Sequence, residues 1–198
     1  HDHADQSHGI DDLRALVLIQ KTRVPVYYST KTSPALTKRF EYCFKDNPYT
    51  GYPAILDGYE LTAGEEIMIS GPSGNMPLMP VLLGHGPVPS LGFRVGRGDE
   101  SAVYSPDADV IPDAAWPLIE GAGTWIVDAL RYRPHPSHAH LERSLEWLNR
   151  AGVKMGILTN LHIDLDYRTL EKETPAHVAP AFDGMVIHIG EGEPPRWR

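Results

Sequence analysis

At 198 residues, 41% apolar and with 18 Gly and 18 Pro, the chain has the size and turn-rich composition of one globular domain, spanning 1–198, that can bury a sizeable core. Its formal net charge of −8 repels polyphosphate backbones, which argues against a long nucleic acid as partner and for a small substrate. The single Cys43 excludes an internal disulfide, no apolar run reaches membrane-spanning length and no secretory leader is recognised, so the expected setting is the cytoplasm.

The opening stretch His1-Asp2-His3-Ala4-Asp5-Gln6-Ser7-His8-Gly9 sets imidazoles and carboxylates at alternate positions before a glycine. Neutral imidazole nitrogens and carboxylate oxygens suit zinc, manganese or iron, and in a non-helical loop His1 and His3 can turn toward one ion. A tag remnant would carry similar letters. The run, however, continues over 9–16 as an amphipathic helix start with Asp11 and Asp12 in its first turn, which a tag does not do.

A strand is predicted over 24–28. Residues 29–60 then break pattern, with Ser33-Pro34, Asp46-Asn47-Pro48, Thr50-Gly51-Tyr52-Pro53 and Asp57-Gly58 as turn signals around a short helical piece over 35–44. We read 29–60 as a lid or docking insertion. Within it Lys31, Lys38, Arg39, Phe40, Tyr42, Phe44 and Tyr49 interleave cations and aromatics, a pattern that can stack a base or sugar. The alternative, aromatics packed on the fold or on a second subunit of a homodimer, is preferred.

Short strands bounded by Gly, Pro or Asp follow over 66–70, 79–83, 90–95 and 102–105. The pattern then alternates: strand 124–128, helix 137–151, strand 155–159, helix 167–173 and a last strand 185–189. The helix from Ser137, read as its N-cap, carries Leu141, Leu145 and Leu148 at i, i+4 and i+7, and Gly152 stands at its expected stop. The fold class is α/β, a sheet covered by helices.

Several polar groups stand just past an apolar run: His85, Asp107, Asp128, Asn160 and His162. Loops past strand ends are where ligands collect in α/β architectures, so these are candidates for a site. Turn capping is the preferred reading for Asp128, Asp109, Asp113 and Asp183. Arg131 reads as a phosphate contact or as an ion pair with Asp128. His135, His140, His177 and His188 read as surface or helix-face residues.

The ordered series HDHADQSHGIDDLR, LLGHGPVPSLGFRVG, AVYSPD, WIVDALRYRPHPSH, LTNLHIDLDY and PAFDGMVI covers almost the whole chain. It resembles the metallo-β-lactamase superfamily, in particular the phosphodiesterase-like branch of phosphoribosyl cyclic phosphate phosphodiesterase and, more distantly, ribonuclease Z. The resemblance implies a four-layer αββα sandwich of which this chain holds everything from the first metal loop onward, the opening strands lying upstream. It further implies His1, His3 and His85 as imidazole ligands of a first metal, Asp107 as a bridging carboxylate, and Asp5 as second-site ligand and base-side carboxylate. His138 corresponds to a non-ligand histidine, read as general acid at a helix N-terminus, where N–H groups favour an anion.

Two departures stand out. Where the family loop ends in His this chain has Gln6, and where the family has a late His ligand it has Asn160. Amide oxygens are weaker donors than imidazole, so the expectation is one firm zinc or manganese site and an optional second. His8 or, preferably, His162 is the candidate substitute, His162 lying two residues past Asn160 on the same face if the strand continues. The expected activity is a metal-dependent phosphodiesterase acting on a small cyclic or nucleotide-like phosphate ester. A ribonuclease Z-like nuclease and a non-catalytic nucleotide-binding module are the alternatives.

Overall fold

The computed structural model describes residues 1–72, 74–190 and 193–198. The chain divides into two compact units, His1–Thr62 and Ala63–Arg198, each of which is described by itself.

The first unit opens with α1 (Ala4–Ser7), a 3-10 segment over His8–Asp12 and α2 (Leu13–Gln20), which stops at Lys21 in a left-handed conformation with φ 56°. Then come β1 (Val24–Ser29), α3 (Ser33–Arg39), α4 (Glu41–Phe44) and β2 (Leu56–Leu61). β1 and β2 pair in parallel, Val24 opposite Leu56 through Ser29 opposite Leu61. Ile10, Tyr28, Leu36, Phe40, Cys43, Ile55 and Leu56 form the buried core, with Phe44 packed against it. Of the interleaved aromatics, Phe40 and Phe44 therefore serve packing, while Tyr42 and Tyr49 are exposed. The pair Asp57-Gly58 is no turn. It lies inside β2, where the ring of Tyr28 fills the space that a Cβ on residue 58 would need.

The second unit is built on a seven-stranded sheet, β3 (Ile67–Gly71), β4 (Gly74–Leu83), β5 (Ser90–Val95), β6 (Ala102–Ser105), β7 (Thr124–Asp128), β8 (Met155–Thr159) and β9 (Val178–Pro180), adjacent in that order. The first four run antiparallel to their neighbours, and β6 to β9 run parallel. β7, β8 and β9 are largely apolar on both faces because both are covered, whereas Tyr104 of β6 is exposed. Trp125, Val127 and Leu158 enter the main core, whereas Ile126, Met155, Ile157 and Ala179 belong to a second cluster with Met185 and Ile187. This is the two-residue alternation of a strand written into one sequence. The α/β class expected from the sequence holds.

Between the strands lie α5 (Trp116–Ile119), α6 (Leu141–Ala151) and α7 (Tyr167–Glu173), and the unit closes with the antiparallel pair β10 (Ile187–Gly190) and β11 (Glu193–Trp197). α6 buries Leu141, Ser144, Leu148 and Ala151 and ends at Gly152 with φ 64°, the left-handed stop expected there. Its start differs from the expectation: the helix begins at Leu141, not Ser137. The Ala139 N–H donates to the Ala108 carbonyl at 2.6 Å and the Ala139 carbonyl accepts from Leu130 N–H at 2.9 Å, which holds the approach to α6 as an extended strap. Among the described residues no helix is long and apolar enough to cross a membrane.

Candidate metal centre

β4, β6, β7 and β8 all run in the same direction, so the residues that follow them gather at one edge of the sheet. His85 comes two residues past β4, Asp107 two residues past β6, Asp128 ends β7, and Asn160 directly follows β8. The strap before α6 adds His138. His85, Asp107 and Asp128 are buried among apolar strand ends.

His85, Asp107 and His138 each offer a ligand atom, and these atoms lie within 4.8 Å of one another. Metal bonds to nitrogen and oxygen of ~2.0–2.2 Å would draw the His85 and Asp107 atoms onto one cation with small side-chain movements and leave His138 beside it. The His85 ring is already set for this. Its Nδ1 lies 2.6 Å from the Ser137 carbonyl, which can only accept, so Nδ1 carries the proton and Nε2 the lone pair. Gly86 makes the approach possible: it has φ 56°, and a Cβ there would lie 3.0 Å from Cβ of Ser137. The donor set of imidazole and carboxylate thus fits a divalent cation.

His138 is held differently. Its Nδ1 lies 2.7 Å from Oδ2 of Asp128 and 3.7 Å from Oδ1 of Asp107, and its ring meets that of His85 edge to face with centroids 4.7 Å apart. Asp128 Oδ2 also accepts the Ala108 N–H at 3.1 Å, and Oδ1 accepts from Asn160 Nδ2 at 3.3 Å. Its backbone carbonyl accepts the Ser144 hydroxyl at 2.5 Å, tying α6 to the end of β7. Burial pushes the Asp128 carboxyl above the usual range, opposed chiefly by the His138 imidazole and then by its other donors.

Asp128 is therefore more than the turn cap read from sequence. Its signal was a carboxylate closing an otherwise apolar strand, ten residues before a histidine. His138 is not at a helix N-terminus, because α6 starts three residues later. Nor does Arg131 pair with Asp128: its guanidinium donates to the carbonyls of Arg133 and Pro134 at 3.1 and 2.8 Å. His135, read as a surface residue, is half-buried with its ring 5.1 Å from that of His138. Burial holds its pKa below the ordinary imidazole value, with the neighbouring His138, Arg131 and His85 adding to the effect.

The strand continuation that would set His162 on the same face as Asn160 is absent. β8 ends at Thr159, Asn160 takes φ 63°, and His162 turns outward to bond Asp164 Oδ1 at 2.8 Å. Within the first unit, His1 and His3 stand edge to face with centroids 4.4 Å apart, so the opening loop does bring its two imidazoles together. His3 is extended and its carbonyl receives the Gln6 and Ser7 N–H groups at the start of α1. Gln6 donates to Asp5 at 3.0 Å, and the His8 ring lies against Phe40.

Residues 1–163 match the β-lactamase superfamily domain. The chain belongs to the β-lactamase superfamily. A solved diphosphatase of the PhnP family is 30% identical, with 93% of this chain and 67% of that one aligned and a TM-score of 0.77. YhfI, a metallo-β-lactamase fold protein of Bacillus subtilis, is 20% identical over 91% of this chain and 71% of that one, with a TM-score of 0.70, a likeness of fold alone. An octanoyltransferase of Porphyromonas gingivalis is 27% identical over 194 residues, 96% of this chain and 37% of that protein, so the chain spans little more than a third of that relative's length. The resemblance read from the motifs is borne out for the superfamily and for its PhnP-like branch, and with it the metallo-β-lactamase fold, a scaffold for divalent metal.

Proposed function

We propose that this β-lactamase superfamily chain is a metal-dependent phosphodiesterase acting on a small cyclic or nucleotide-like phosphate ester. The observation that carries the reading is that two imidazoles beside Asp107 are prepared for opposite tasks. The carbonyl on Nδ1 of His85 leaves its Nε2 as a lone-pair donor, whereas the carboxylate on Nδ1 of His138 stabilises the protonated ring.

When bound, a zinc or manganese ion would supply Lewis acidity toward phosphoryl oxygens and lower the pKa of bound water, to about 7 in the case of zinc. His85 and Asp107 are the residues of the second unit that would hold it. His138, with its Nδ1–H on Asp128, presents Nε2–H to the departing ester oxygen, delivers that proton as the bond to phosphorus breaks, and offsets charge on the phosphoryl group before it does so. Asp128 fixes the ring and balances the imidazolium. The family resemblance implies His1 and His3 as imidazole ligands and Asp5 as the carboxylate that orients the nucleophile.

A non-catalytic nucleotide-binding module is the second reading, favoured by the amides Gln6 and Asn160 where the family carries imidazoles. The relative named an octanoyltransferase is matched over only 37% of its length, and the one cysteine of this chain, a possible acyl acceptor, is buried. The test is turnover. Protein loaded with manganese or zinc should hydrolyse bis(p-nitrophenyl) phosphate and cyclic nucleotides and stop when a chelator is added; nucleotide binding without turnover would leave the binding module as the reading, and octanoyl transfer in the same preparation would displace both.

A further inference from the structure

We propose that Asn160 is a positioning residue whose side-chain NH2 takes the place of a second cation between the two carboxylates of the centre, restricting it to one metal ion. The inference rests on the metal-centre reading above.

Asn160 Nδ2 lies 3.2 Å from Oδ1 of Asp107, 3.2 Å from the Pro106 carbonyl and 3.3 Å from Oδ1 of Asp128. Three oxygens from three residues around one atom favour the nitrogen there, because the carbonyl oxygen turned that way would face those three acceptors, while the fourth neighbour, His138 Nδ1 at 3.4 Å, gives its proton to Asp128. A ring of oxygens of this kind is also what a hard cation seeks. The amide meets it with two partly positive hydrogens and has no lone pair to offer a metal from that nitrogen. An imidazole or carboxylate at the same position would add a ligand; the amide instead adds donors and leaves the carboxylates fixed.

The backbone supports the assignment. Asn160 is one of two non-glycine residues among those described with positive φ, at 63°. Asparagine tolerates this conformation better than most residues, and the left-handed turn directs the side chain back across the ends of β6 and β7 rather than onward along β8. Few residue types satisfy both demands: aspartate keeps the shape and reverses the donor, and histidine accepts the backbone and restores a ligand.

The experiment is metal stoichiometry by elemental analysis and manganese titration on the full chain, comparing wild type with Asn160→Asp and Asn160→His, each checked for an unchanged cooperative melt. Wild type is expected to retain one tightly held equivalent, and at least one of the two variants to gain a further one. A wild type holding two equivalents, or two folded variants that gain none, overturns the role of Asn160 and leaves the metal centre standing. A wild type that retains no metal overturns both. Should one variant fail to fold, the other decides.

Discussion

The side chains of His138 and Asp128 form a hydrogen-bonded pair, Nδ1 to Oδ2 at 2.7 Å, in which the carboxylate is fully buried and the imidazole is partly open. One member is thus set by the fold, and the other is left able to meet a ligand. Asp128→Asn is expected to keep the metal and lower turnover by about 100-fold or more, since a neutral amide no longer favours the imidazolium. Elemental analysis alongside steady-state kinetics checks this; unchanged turnover would remove His138 from proton transfer.

His85→Ala should lose most of the bound metal while leaving the fold cooperative. The ring touches the strap through Ser137, so a small loss of stability, about 1 kcal/mol from one broken hydrogen bond, accompanies it. Metal content per chain, with circular dichroism for the fold, is the measurement. Full retention of metal would exclude His85 from the ligand set.

Gly156→Ala tests the packing that seats α6 on the sheet. A Cβ at Gly156 would lie 2.6 and 3.0 Å from the two methyls of Leu148 and 3.2 Å from Val178 Cγ2. Overpacking of this kind is expected to cost about 1–3 kcal/mol, read as a lowered denaturation midpoint. Leu148→Ala in the same background should recover part of it.

Cys43 is completely buried, and burial raises its thiol pKa, with the nearby Asp11 carboxylate adding to the shift. The thiolate is the reactive form, so alkylation of the native chain at mildly alkaline pH should be slow and should become fast on denaturation. The linked effect on stability has a definite sign. The folded state keeps the thiol protonated above the pKa of an unfolded cysteine, about 8.5, so stability falls as pH rises through that value toward the folded one. Rapid native-state alkylation at neutral pH would contradict the burial.

Much of the second unit is legible in its residues. The runs 124–128 and 155–159 carry apolar centres, Trp125-Ile126-Val127 and Ile157-Leu158, and are flanked by helical periodicity, which marks them as buried parallel strands, and Gly152 marks the stop of α6. What stayed hidden depends on long-range contacts. Ser137 is a good local cap and points to an earlier start for α6, but its segment is claimed by backbone bonds of Ala139 to Ala108 and Leu130 and of Leu141 to Arg131. β2 is hidden in the sequence because Asp57-Gly58 reads locally as a turn, while its glycine answers to the Tyr28 ring. Of the candidate site, His85, Asp107 and His138 come together as their motifs suggested. A carboxylate at a strand end looks the same whether it caps a turn or orients a histidine, which hides the role of Asp128, and one left-handed residue redirects the chain ahead of His162.

Asp107, Asp128 and Asn160 hang from three neighbouring strands, and only the lateral alignment of β6, β7 and β8 sets their spacing. A slip of one residue between two of them would move a side chain about 3.3 Å along its strand and turn it to the other face. Misaligned chains therefore lack the centre altogether, and metal affinity serves as a gauge of correct assembly. An ion that binds only the aligned state stabilises it in proportion to the logarithm of its concentration over its dissociation constant, so metal present during refolding should raise the yield of native protein as well as its melting point.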